Sequence, residues 1–304
     1  MHLKKMKTII ADTNVWYNLS GNRNKQKLLN CITSKGNLFA TPISFLELVS
    51  KMNMSSEFSR RKNAVHAVIK YARGCLPTHE FVLAGYFGIL IKDGINWMDR
   101  FRTVNSIKNS DEFKNKKVIY TKERGLNSLE LVSFDINQIS DWRENLYRNF
   151  SKSVVNAITL NIEPQYGQQV KTGNIIPIRD KDKLLMLDEK KMYESIMSVL
   201  LYRVKFVVKN QQGEDVDFNK KKIINKARGK VDCYAKMYIE YIKDILKCGS
   251  KPDKNDLGDL ENFMYLQNDD YILATTDKTM INICRKVYPN RILDLNQYIK
   301  NRFD

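Results

Sequence analysis

The stretch "KTIIADTNVWYNLS", Lys7 to Ser20, sets the reading of the fold. Thr8, Ile9, Ile10 and Ala11 form a short β-prone run. Val15, Trp16 and Leu19 then recur at the spacing of one helix face. Asp12 stands at the seam between the two. A charge between buried elements needs compensation, because removing an unpaired carboxylate from water is costly. A helix cap, a salt bridge or a metal ion would supply it. Asn14 is the expected N-cap of a helix that begins at Val15.

Outward from this stretch, strand and helix alternate. "NLFA" (Asn37 to Ala40) reads as a second strand. "TPISFLELVSKM" reads as a helix with Thr41 at the cap position and Pro42 at its first turn. The other end of the chain has the same style. "NDLGDLENFMYLQN" is helical, "YILATT" a strand, "KTMINICRKV" a helix and "RILDL" a final strand. This alternation predicts an α/β fold with a parallel sheet. The middle differs. "KLLMLDEKKMYESIMSVLLYRVKFVV" fits helix, "KVIYT" and "ELVSFDI" are candidate strands, and 163–183 and 209–222 read as loops rich in Pro, Gly and polar residues. The expected organisation is 1–75 and 235–304 as two parts of one α/β domain, with 76–234 a mainly helical insertion.

The bulk numbers narrow the function class. The chain has 304 residues, 43% of them hydrophobic, enough for a packed core. No apolar run approaches the length of a membrane span, and the start has no signal-peptide pattern, so a soluble cytoplasmic protein without a membrane partner is expected. Five cysteines without a CxxC pair argue against a zinc knuckle or a disulfide framework. The net charge of +17, from 51 basic and 34 acidic residues, points first to a polyanionic partner. No GxGxxG or P-loop occurs. Asn14 stands where an aspartyl phosphatase would need a second acid, and His2, His66 and His79 form no metal spacing.

Two strand candidates end in aspartate, at Asp12 and Asp277. Ligands of open parallel sheets bind at such ends. On the late helix, steps of about 100° per residue place Asp256 and Asp259 within the arc of Leu257, Leu260, Phe263 and Leu266. Gly258, Glu261 and Asn262 fall on the polar side. Two carboxylates on an apolar arc call for a cation or a basic partner, although the helix dipole also favours Asp256 in the first turn. Glu47 falls away from the apolar face of its helix and matches capping-box spacing with Ser44.

"IIADTNVW", "TPISFLELV" and "DLENFMYLQNDDYILATTDK" together resemble the PIN-domain nucleases, the fold of VapC-type toxins. That pattern has an Asp after the first strand, a Glu on an early helix, an Asp at the start of a late helix and an Asp after the next strand. Asp12, Glu47, Asp259 and Asp277 match it in order, with Asp256 competing for the third role and Asn14 at the polar position after the first Asp. The resemblance covers about 5–60 and 250–300. It implies a three-layer α/β/α sheet domain, here interrupted by an insertion far longer than compact members carry.

The resemblance further implies a metal-dependent endonuclease that hydrolyses phosphodiester bonds, most readily in RNA, as a toxin, processing enzyme or antiviral effector. Mg²⁺ or Mn²⁺ would be the cofactor, since both take hard oxygen ligands. Asp12 and Asp277 would bind directly, and Asp259 directly or through water. Glu47 would hold a second ion or orient the attacking water. Asn14 and Lys278 would contact substrate, and the runs at 114–117 and 219–230 would hold phosphates. A homodimer and an inhibitory or regulatory protein partner fit the same reading. The alternatives are a DNA-directed nuclease of this fold and a nucleic-acid-binding module that no longer cuts.

Overall fold

The computed structural model describes residues 6–21, 23–92, 96–115, 118–122, 131–135, 188–212, 220–248 and 256–299. The expected loop at 163–183, the first residues of the run at 183–208 and the ends of the basic runs at 114–117 and 219–230 lie wholly or partly outside them. The chain divides into two compact units. One comprises 1–78, 93–144 and 268–304; the other comprises 79–92 and 145–267. Thus 93–144 groups with the chain ends, and 235–267 groups with the helical middle.

In chain order the first unit contains strands β1 (Lys7–Ala11), β2 (Gly36–Ala40), β3 (Gly74–Cys75), β4 (Val118–Lys122), β5 (Leu131–Asp135), β6 (Tyr271–Thr275) and β7 (Ile292–Asp294). Five of them form a parallel sheet in the order β3-β2-β1-β6-β7. β4 and β5, expected as strands, pair antiparallel with each other. β1 lies at the centre, and Ile9, Ile10 and Ala11 are fully buried. A central parallel strand covered on both faces should show such an unbroken apolar run. At Gly36, where β2 runs beside β1, an added Cβ would lie 2.0 Å from the Lys7 carbonyl oxygen. Glycine there permits the close approach of the two strands.

The strand order fixes where a site can form. The chain starts in the middle, moves outward through β2 and β3, and returns on the other side as β6 and β7. Direction reverses between β1 and β6, whose carboxyl ends leave a crevice at that switch point. The register aligns Ala11 with Ala274, so the residues that follow, Asp12 and Thr275, sit side by side.

The helices of this unit supply its core. Trp16, Phe45, Leu48, Val65, Val68 and Phe101 are buried to 0% exposure. Phe45 meets Phe101 edge-on with centroids 5.0 Å apart, and Trp97 at 5.5 Å. Burying each such side chain contributes about 1.5–3 kcal/mol. The helix Pro42–Val49 begins as expected: Thr41 is extended, its hydroxyl accepts the Ser44 N–H at 3.2 Å, and Pro42 occupies the first turn. The cap is therefore Thr41 and not Ser44, and Glu47 is free of the expected capping-box role.

The second unit is helical among its described residues. It contains Glu189–Gln212, Lys220–Ala227 and Asp232–Cys248, the shorter helices His79–Phe87 and Asp256–Asn262, and a 3-10 turn at Phe263–Gln267. Asp232–Cys248 buries Tyr234, Tyr238, Tyr241 and its aliphatic residues. Within this core Arg203 grips Glu261 with two hydrogen bonds, 2.6 and 2.9 Å, and donates a third to Glu80 at 2.8 Å. Glu261 and Asn262 are each only 2% exposed. This corrects the helical-wheel reading, which put both on the polar side and put Asp256 and Asp259 on the apolar one. The α-helix gives way to 3-10 geometry at Phe263, which breaks the 100° progression, and neighbours cover the segment on more than one side. Asp256 and Asp259 are only half-buried. The acid that needs a buried basic partner is Glu261, and Arg203 is that partner.

Candidate active site

Asp12 is 3% exposed, at the carboxyl end of the central strand. The helix after it begins at Thr13, two residues earlier than expected. Asn14 is thus inside the first turn and solvent-exposed, not the N-cap. Asp12 precedes the helix, and its own carbonyl accepts the Val15 N–H at 3.0 Å.

Three neutral donors hold the Asp12 carboxylate. Oδ1 accepts from the Thr13 N–H at 2.6 Å, and Oδ2 accepts from the Thr275 hydroxyl at 2.8 Å and from Asn14 Nδ2 at 3.3 Å. Among the described residues no lysine or arginine pairs with it. Burial pushes its pKa above the ordinary 3.8; the Thr275 and Thr13 hydrogen bonds pull it down, and the nearby negative charge of Asp277 pushes it up again. Among the described residues no salt bridge compensates Asp12.

Thr275 joins the acids. Fully buried at the end of β6, it donates to Asp12 and accepts the Asp277 N–H at 2.9 Å. Asp277 in turn caps the helix Lys278–Val287, its Oδ1 accepting the Met280 N–H at 2.8 Å. On the other side of Asp12, the Thr13 hydroxyl donates to Glu47 Oε2 at 2.5 Å. Glu47 is half-buried, so the surface reading by spacing is corrected. Behind it, Arg61 (9% exposed) donates to the carbonyls of Glu47 and Leu48 and pairs with Glu57 at 3.0 Å. A cation at helix-end carbonyls fixes the turn that presents Glu47. Glu47, Thr13, Asp12, Thr275 and Asp277 thus form one connected polar line.

The predicted site residues divide between the two units. Asp12, Asn14, Glu47, Asp277 and Lys278 belong to the sheet unit, and Lys278 is exposed at the start of its helix. Asp256 and Asp259 belong to the helical unit, where Asp256 accepts the Tyr241 hydroxyl at 2.5 Å. Among the described residues, no three His, Cys, Asp or Glu side chains are gathered to hold a metal ion. The four acids implied by the resemblance are distributed over both units: Asp12, Glu47 and Asp277 in one, Asp259 in the other. The donor set that fits a cation is smaller. It is two hard carboxylates at neighbouring strand ends, close enough to repel, with no basic residue among the described ones on the buried acid. Mg²⁺ suits such a pair because it keeps several waters.

Sequence reasoning missed both threonines. Thr13 directly follows Asp12 in "ADTN", and Thr275 stands two residues before Asp277 in "TTDK". It also missed Asp294, which closes β7 in register with Thr275 and pairs with Arg285 at 2.9 Å.

No family model matches the chain, and neither a curated protein nor a solved structure matches it.

Proposed function

We propose that the protein is a metal-dependent endonuclease of PIN-like type, acting on RNA, with its reaction centred on Asp12 and Asp277. The observation that carries this reading is the placement of Asp12: a buried carboxylate at the sheet's switch point, beside a second carboxylate, held by neutral donors only. The order of acids in the sequence and the net charge of +17 support it.

Asp12 and Asp277 would hold Mg²⁺ or Mn²⁺ between them. A bound divalent cation supplies a water of lowered pKa and neutralises charge on the phosphate. The chain's own residues do the rest. Thr13 N–H and Thr275 fix the plane of the Asp12 carboxylate. Thr13 also holds Glu47 Oε2, and Glu47 would orient the attacking water. Asn14 and Lys278, both exposed, would meet the substrate. Asp256 and Asp259 have roles that rest on the resemblance alone. No described helix is long and apolar enough to cross a membrane, and all five cysteines are free thiols, in keeping with a cytoplasmic enzyme. DNA in place of RNA is the second reading, since both are polyanions.

The test is cleavage of labelled RNA and DNA by wild type, Asp12→Asn and Asp277→Asn, with Mg²⁺, Mn²⁺ or chelator. Wild type should cut RNA only with metal, and each substitution should lower the rate by about 100-fold or more. Equal cleavage by all three proteins would refute the site. Binding without cleavage by wild type under every condition would favour a non-cutting module.

A further inference from the structure

Strand β6 passes into the helix Lys278–Val287 through two residues, Thr276 and Asp277. The direction of the Asp277 carboxylate depends on how that short connection is held. On the strand side, the Leu295 N–H donates to the Thr275 carbonyl at 3.1 Å, one step past the last paired residues of β6 and β7. On the helix side, Asp277 Oδ1 accepts the Met280 N–H at 2.8 Å. The Thr276 carbonyl lies between these two bonds, past the end of the sheet and before the start of the helix. A backbone carbonyl there needs a partner from elsewhere.

Asn296 supplies it. Its Nδ2 donates to the Thr276 carbonyl at 3.1 Å and to Asp294 Oδ1 at 3.0 Å. Both partners are pure acceptors, so the amide nitrogen and not the amide oxygen must face them. The bland reading is a tight turn before the last helical residues, Asn296–Ile299. Asp294 Oδ1 does accept the Asn296 backbone N–H at 2.9 Å, which is such a turn. That turn makes no demand on the side chain at 296. The side chain instead reaches back 20 residues along the chain to Thr276. Leu295, at 0% exposure, anchors the same segment in the core. Asp294, Leu295 and Asn296 thus bracket Thr275, Thr276 and Asp277, all within the sheet unit.

We infer that Asn296 is a positioning residue of the proposed metal site. By holding the Thr276 carbonyl it fixes the turn that presents Asp277 beside Asp12. A cation shared by two carboxylates needs its ligands held to within about 0.5 Å. A neutral amide does this without charge of its own, whereas a lysine or arginine on the same carbonyl would compete with the metal for the acids. The inference rests on the metal reading of Asp12 and Asp277 given above, and extends the site from two strand ends to a third.

The test takes two readings on the full chain. Hydrogen–deuterium exchange of the segment 275–281 reports how firmly the turn is held. The electron paramagnetic resonance signal of Mn²⁺ during titration reports the metal ligands. Asn296→Ala should exchange about 2- to 10-fold faster in that segment, the worth of one hydrogen bond. It should also bind Mn²⁺ about 10-fold more weakly. Asn296→Asp, the same shape without a side-chain N–H, should exchange as fast as the alanine variant. Gly36→Ala, which disturbs the pairing of β1 with β2 and has no contact with this turn, should lose stability and keep the wild-type Mn²⁺ affinity. Unchanged exchange in Asn296→Ala would overturn the inference. So would faster exchange with unchanged Mn²⁺ affinity, which would leave Asn296 a purely structural residue. An equal loss of affinity in Gly36→Ala would overturn it as well, since general loosening would then suffice. If Asp12→Asn binds Mn²⁺ as tightly as wild type, the metal reading fails and the positioning role with it, while faster exchange in Asn296→Ala would still show that Asn296 holds the turn.

Discussion

The hydroxyl of Thr275 donates to Asp12 Oδ2 at 2.8 Å from the next strand of the sheet, and accepts the Asp277 N–H at 2.9 Å. One buried side chain therefore sets the geometry of both acids. Thr275→Val keeps the shape but removes the donor and the acceptor together. It should cost about 1–3 kcal/mol, because a buried carboxylate oxygen and a backbone N–H each lose a partner. Divalent-ion affinity should fall about 10- to 100-fold, the usual effect of losing a group that orients a metal ligand. Denaturant melts and Mn²⁺ titration read the two effects separately. Wild-type stability and affinity in the variant would show that the hydroxyl is a bystander.

Arg203 should be the most sensitive charge in the helical unit. Burial alone would disfavour its charged form, yet Glu261 and Glu80 outweigh burial and hold it protonated. Arg203→Met strands Glu261, only 2% exposed, without its counter-charge. A loss of about 3–5 kcal/mol is expected. Glu80→Gln should cost less, since the Glu80 side chain is 30% exposed and the Arg203–Glu261 pair survives. Urea unfolding of the two variants tests the ranking.

His79 gives the helical unit a pH dependence. Burial lowers its pKa below the ordinary 6.5, although Glu261 and Glu80 pull it upward. Among the described residues its Nε2 has no hydrogen-bond partner, and burial favours the uncharged imidazole. Below about pH 6.5 the unfolded chain binds the proton that the folded chain refuses. Stability should be full above that value and fall as pH drops toward the folded-state pKa. Glu80 adds a second loss at lower pH. Its pKa is raised by burial but brought below 4.5 by Arg203 and His79, so its contribution is present above 4.5 and disappears beneath it. Denaturation midpoints measured down from neutral pH should show the decline, and His79→Gln should flatten its upper part.

Gly36→Ala tests the sheet. The added Cβ would lie 2.0 Å from the Lys7 carbonyl oxygen, and the neighbour is backbone, so β1 and β2 must move apart. The expected cost is about 1–3 kcal/mol, read as a lower melting temperature. Gly21→Ala, where an added Cβ meets nothing within 4 Å, is the control and should change little.

Much of the sheet unit was legible in the sequence because its signals are local. "TIIA", "YILATT" and "KTMINICRKV" carry their own periodicity, and Thr41-Pro42 announces a helix start whatever surrounds it. Asp12 and Asp277 stood out because a charge ends each apolar run. What was not legible depends on contacts remote in the chain. Thr275 matters only because β6 lies beside β1, and no spacing rule relates positions 12 and 275. Glu47 seemed to face solvent until Thr13 came to meet it. Glu261 and Asn262 were misplaced because a helical wheel assumes one buried side and constant pitch, and that segment has neither.

The proposed site requires Asp12 and Asp277 to share one divalent cation. A crystal of the protein soaked in Mn²⁺ tests it most directly through the anomalous signal of the metal. A peak is expected at about 2.0–2.2 Å from a carboxylate oxygen of each aspartate, absent in Asp12→Asn. A fully soaked crystal with no peak there, or with its manganese held by other residues, would contradict it.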